Sequence, residues 1–91
     1  MELIFYCVIN RLKVLYLGGN LLTEIPAEVG LLKQLQALVL SENALECLPS
    51  TVVQLKKLRS LLLHKNRLTT LPPQIVTLKA LMEVSIVVDV F

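Results

Sequence analysis

A catalyst needs groups that shuttle protons or attack an electrophile, and this chain has few of them. Its single histidine, His64, has no acid or nucleophile held to it by a regular spacing, whereas a working acid–base pair must lie within hydrogen-bond reach. Gly18-Gly19 is not followed by the Gly-Lys-[Ser/Thr] that lets a loop cradle phosphates; these glycines serve to relax a turn. Cys7 and Cys47 stand far apart in the chain with no C-x-x-C pair, and together with His64 they lack the spacing of a zinc set. Cys47 reads as an inert thiol, because a reactive one needs surroundings that lower its pKa. The pattern therefore assigns no catalytic, cofactor-binding or metal-ligating residue. It predicts a non-enzymatic protein with no cofactor and no small-molecule substrate.

The polar residues that recur are asparagines. Asn20, Asn43 and Asn66 follow one another at a constant interval, each within the same frame of leucines. The segments LKVLYLGGNLLTEIPAEVGLLKQ at 12–34, LQALVLSENALECLPSTVVQLKK at 35–57 and LRSLLLHKNRLTTLPPQIVTLKA at 58–80 align without a gap. Their common skeleton is L-x-x-L-x-L-x-x-N-x-L-x-x-[L/I]-P-x-x-[V/I]-x-x-L-x-x. An asparagine amide carries two donors and an acceptor. Placed where an extended segment turns, it satisfies backbone groups that the turn leaves unpaired. An asparagine ladder from repeat to repeat is the expected outcome, with Asn43, the central one, buried.

The elements that must position these residues follow from the period. Within L-x-x-L-x-L, alternation puts Leu15 and Leu17, Leu38 and Leu40, and Leu61 and Leu63 on one side of a short strand. Strands that recur in one direction at a constant interval stack as a parallel sheet. Leu-Pro or Ile-Pro at 25–26, 48–49 and 71–72 ends each extended stretch. Val29 and Leu32, Val52 and Leu55, and Ile75 and Leu78, each spaced by three, then predict short helices near 27–33, 50–56 and 73–79, partly 3₁₀. Ser50 is placed as an N-cap, and Pro73 suits a first helical turn. The fold class is α/β: a solenoid with strands on the concave face and short α or 3₁₀ helices on the convex face. Residues 1–91 form one domain, in which 1–11 is a degenerate half-repeat and 81–91 a partial fourth copy. In that copy Asp89 stands in the asparagine place.

Composition agrees with a packed array. The chain is 55% hydrophobic with a mean hydropathy of +0.71. Its longest apolar run, Leu3–Ile9, is far shorter than the ~20 residues of a membrane span. That run also lacks the basic flank and cleavage site of a signal peptide. Nine basic and seven acidic side chains give a net charge of +2. The one dense cluster, Lys56, Lys57 and Arg59, reads as a solvated rim without the aromatics of a nucleic-acid surface, so neither nucleic acid nor membrane is expected as a partner. The absence of cysteine-rich caps and N-x-S/T sequons points to a reducing compartment, and a cytoplasmic location is expected.

The repeat unit, with its Leu-Pro and [V/I]-x-x-L, resembles the Ras-suppressor-like class of intracellular leucine-rich repeat proteins, closely over 12–80 and partially over 81–91. The resemblance implies non-enzymatic protein binding, as a scaffold or recognition segment. A solenoid of this kind uses its concave sheet face to bind. The outward positions form ladders: Val14, Ala37, Ser60 and Glu83; Tyr16, Val39, Leu62 and Ser85; Gly18, Ser41, His64 and Val87; Gly19, Glu42, Lys65 and Val88. The second ladder is apolar where water is expected. The candidate partner-binding residues are therefore Tyr16, Val39 and Leu62, rimmed by Glu42, His64 and Lys65. The alternative is a truncated structural segment of a longer array, which stacks on other repeats and has no binding activity of its own.

Overall fold

The computed structural model describes residues 11–81 and 83–85, the last three by their backbone. Cys7, Val87, Val88, Asp89 and most of the two terminal half-repeats lie outside the described residues. Four three-residue strands, β1 (Val14–Tyr16), β2 (Ala37–Val39), β3 (Ser60–Leu62) and β4 (Glu83–Ser85), pair in parallel and in sequence order. Each residue pairs with its equivalent one repeat on: Leu15 with Leu38, Leu38 with Leu61, and Leu61 with Val84. Sheet-like bonding continues beyond the strands. Leu17 N–H donates to the Val39 carbonyl at 2.8 Å, and Gly19 N–H to that of Ser41 at 3.1 Å. Leu40 and Glu42 make the same bonds one repeat later, to Leu62 at 2.8 Å and His64 at 3.0 Å.

Among the described residues the convex side consists of three five-residue 3₁₀ segments, Ala27–Leu31, Ser50–Gln54 and Pro73–Thr77. They are shorter at their C-terminal ends than the spacing suggests, and none is α-helical. The apolar period explains this. In a 3₁₀ helix residues three apart eclipse one another, so Val29, Leu32 and Leu35 share one line. The backbone follows that line: Val29 N–H donates to Pro26, Leu32 to Val29 and Leu35 to Leu32. The same chain of bonds recurs through Val52, Leu55 and Leu58, and through Ile75, Leu78 and Leu81. Ser50 is not the N-cap. Pro49 holds that place at φ −64° and ψ 143° with no side-chain cap bond, and Ser50 is the first residue of the turn. Proline already fixes the entry angle there, and its carbonyl accepts from Val52 N–H. Pro73 does sit in the first turn of its segment.

Between sheet and helical turns lies one continuous core. Leu15, Leu38 and Leu61 enter from the strands, Leu40 and Leu63 from just beyond them, and Val29, Val52, Leu32, Leu55 and Leu78 from the convex side. Leu45 and Leu68, which follow the asparagines, close it on the third side. Gly30 permits the approach of the first two 3₁₀ segments. A Cβ there would stand 2.7 Å from the Thr51 carbonyl oxygen and 2.8 Å from Thr51 Cβ. Thr51 Oγ1 bridges the same pair of segments, donating to the Ala27 carbonyl at 2.7 Å.

Candidate binding face

The asparagine ladder forms, and it has a direction. Asn43 Nδ2 donates to the carbonyls of Leu40 at 3.0 Å and Ser41 at 3.2 Å in its own repeat, and to Leu17 at 2.9 Å in the repeat before. Its Oδ1 accepts from Asn20 N–H at 3.0 Å and Leu22 N–H at 2.9 Å. Asn66 repeats the arrangement one step on, donating to Leu40, Leu63 and His64 and accepting from Leu45 N–H. Asn20 donates to Leu17 and Gly18. Asn43 and Asn66 thus each clamp the turn of the repeat before. The expected burial of Asn43 is corrected: it is half-buried, while Asn66 is 5% exposed and Asn20 is open to solvent. The turn that covers Asn43 contains Gly18-Gly19 and so offers no side-chain cover. The turn over Asn66 contains Ser41 and Glu42.

On the concave side the register places Tyr16, Val39 and Leu62 beside one another. Tyr16 is 70% exposed, and Val39 and Leu62 are half-buried. The Tyr16 ring lies along its own strand over Gly18, where an added Cβ would stand 3.1 Å from the phenolic oxygen and 3.2 Å from the adjacent ring carbon. Gly18 therefore makes room for the ring rather than relaxing the turn. Val14, two positions before Tyr16, is also exposed and widens the apolar surface. The alternation that puts Tyr16 outward does the same for Val14.

The rim residues differ in their surroundings. Glu42 and Lys65 are exposed, but they lie past the strand ends with φ +58° each, in phase with Gly19 at φ +72°. They occupy the turn at the edge of the face, not the face itself. Strict alternation from Leu38 and Leu40, and from Leu61 and Leu63, would turn residues 42 and 65 toward the core; the left-handed conformation brings their side chains out to solvent. Ser41, counted as outward, is buried at 6% exposure; its short side chain sits in the central repeat with a strand on either side. His64 is half-buried, and its carbonyl accepts from Glu42 N–H. Cys47 is an exposed free thiol. Among the described residues no three His, Cys, Asp or Glu side chains come together as metal ligands, and no helix is long and apolar enough to cross a membrane.

The comparisons with known proteins bear on the fold and on its non-catalytic character. A family profile described as a leucine-rich repeat region matches residues 2–90. A leucine-rich repeat protein of Leptospira interrogans superposes with a TM-score of 0.75 at 44% sequence identity, over 81% of this chain and 21% of that one. The chain thus spans about a fifth of that protein's length. The search of curated proteins found no match. Repeat arrays of this kind are generally non-catalytic scaffolds. A recurring leucine frame, a sheet stacked in sequence order, an asparagine ladder and a profile match over nearly the whole length give one assignment: the chain belongs to the leucine-rich repeat family.

Proposed function

We propose that the chain is a protein-docking module whose concave sheet face carries the contact. The observation behind this reading is the apolar ladder of Tyr16, Val39 and Leu62 on the sheet, with Tyr16 70% exposed; of the other exposed large apolar side chains among the described residues, Val14 shares this face, while Leu21, Leu31 and Val76 lie outside the strands. An aromatic ring held by its own strand loses little conformational freedom on binding, which favours it as an anchor. Within the family, the repeat unit resembles the Ras-suppressor-like class, and LYLGGN at 15–20, LVLSEN at 38–43 and LRSLLLHKN at 58–66 resemble leucine-rich repeat-containing protein 58. A reducing compartment, the cytoplasm, suits the exposed thiol of Cys47.

The test is affinity capture with wild-type chain and with Tyr16→Asp and Leu62→Asp, each checked by circular dichroism. A partner lost at least about tenfold from the folded variants is the expected result, the effect of removing a central anchor. Equal capture by all three proteins would return the chain to a purely structural role.

A further inference from the structure

Seven of the nine basic side chains fall on one edge of the solenoid. The turns that lead from the convex side into the strands are 11–13, 32–36, 55–59 and 78–81. They hold Arg11 and Lys13; Lys33; Lys56, Lys57 and Arg59; and Lys79, with no aspartate or glutamate among them. The rest of the chain holds the other two basic residues and all seven acidic ones, a net of −5 beside the +7 of this edge. The turns are stacked by the backbone: the Lys13 carbonyl accepts from the N–H groups of Gln36 and Ala37, and that of Gln36 from Arg59 and Ser60. All seven side chains are exposed. Lys57 Nζ donates to Gln34 Oε1 at 2.7 Å and Lys33 Nζ to Gln54 Oε1 at 3.3 Å. These amide oxygens orient the ammonium groups without neutralising them.

We propose that this basic edge receives an acidic polypeptide segment of the partner that docks on the concave face; the proposal rests on the docking reading above. Charge complementarity requires an anionic occupant. Lys33, Lys56 and Lys79 recur once per repeat, so at a strand spacing of ~4.8 Å they span ~10 Å at the sheet and more outside it. That length matches two or three carboxylates of an extended peptide, whose same-side residues are ~7 Å apart. The four turns hold no aromatic residue on which a nucleic-acid base could stack. Their leucines are buried or half-buried, which leaves nothing apolar in these turns to enter a bilayer. The edge leads into the row of Val14, Ala37 and Ser60, and the apolar ladder lies one outward row further along the strands, so one peptide that turns from the edge onto the face can place carboxylates on the lysines and apolar anchors on Val14 and Tyr16.

The experiment measures fluorescence anisotropy of a labelled peptide of alternating glutamate and serine, against an oligothymidylate of equal charge and vesicles of phosphatidylcholine with phosphatidylserine. The proteins are wild type, Lys56→Gln/Lys79→Gln, and Arg67→Glu on the opposite edge, which has the same net charge as the double variant. The expected result is that wild type prefers the peptide, that the double variant binds it about five- to tenfold more weakly, and that Arg67→Glu stays within about twofold. Equal weakening of both variants, tighter binding of the oligothymidylate or the vesicles, or no binding of the peptide overturns the proposal. The probe has no apolar side chain, so those results would leave the concave-face reading standing. That reading fails only with the capture experiment.

Discussion

The ladder asparagine ties each repeat to the one before it. Its amide closes the strand of its own repeat and holds the turn of the previous one, a task that an aspartate, with no donor when ionised, cannot perform. Replacing Asn66 with alanine strands buried carbonyls and an N–H group, at a cost of about 1–3 kcal/mol. Asn43→Ala should fall at the lower end of that range, because water reaches the groups it would leave behind. Urea melts rank the two, and a larger loss for Asn43 would contradict the order of burial. A second residue-scale prediction concerns Lys65. Its φ of +58° places an L side chain where glycine fits best, as Gly19 does in the first repeat. Lys65→Gly should raise stability by about 0.5–1 kcal/mol, whereas Lys65→Ala, which keeps the Cβ, should be neutral. A thermal melt in which the glycine variant loses stability would show that the lysine side chain makes a contact worth more than the strain.

Among the elements, the 3₁₀ segments show how a hydrophobic period selects a helix type. An apolar line at i, i+3 and i+6 stays straight at three residues per turn and drifts sideways at 3.6. Each segment runs for five residues, too few for an α-helix to recover the cost of its nucleus in hydrogen bonds. The three segments are not equivalent. The first two pack more closely than the second and third, and Gly30 sits at the close contact. Its place is taken by Val53 and Val76 in the later copies. Gly30→Ala drives a methyl group against the Thr51 backbone, so a loss of about 1–3 kcal/mol is expected in denaturant melts. An unchanged midpoint would mean that the first segment can shift outward without loss.

At the scale of the molecule, each repeat touches only its neighbours, so every position is repeated as a row across the stack. Rows make small sequence biases large. A leucine that recurs once per repeat becomes a core, and one outward apolar residue per repeat becomes a surface ladder. A lysine at 33, 56 and 79 becomes part of a charged edge. The overall charge of +2 hides this last effect, because it averages a strongly basic edge with an acidic remainder.

The order of amino acids is enough to dictate the repeat, the parallel register, the buried leucines and the presence of an asparagine ladder. It is enough because units related by a constant step bring each residue beside its equivalent in the next unit. The same logic makes neighbours of Tyr16, Val39 and Leu62. How far each residue is buried within its row is settled only by packing. Asn43 is half open because glycines cover it, and Ser41 is enclosed although alternation points it outward. Packing also settles where the strand alternation stops: the left-handed turn at Gly19, Glu42 and Lys65 breaks the pleat just before the asparagine and brings out two charges that strict alternation would turn toward the core. Spacing encodes which residues share a row. Exposure depends on the size and conformation of whatever lies in the next row, and those interactions exist only once the repeats have stacked.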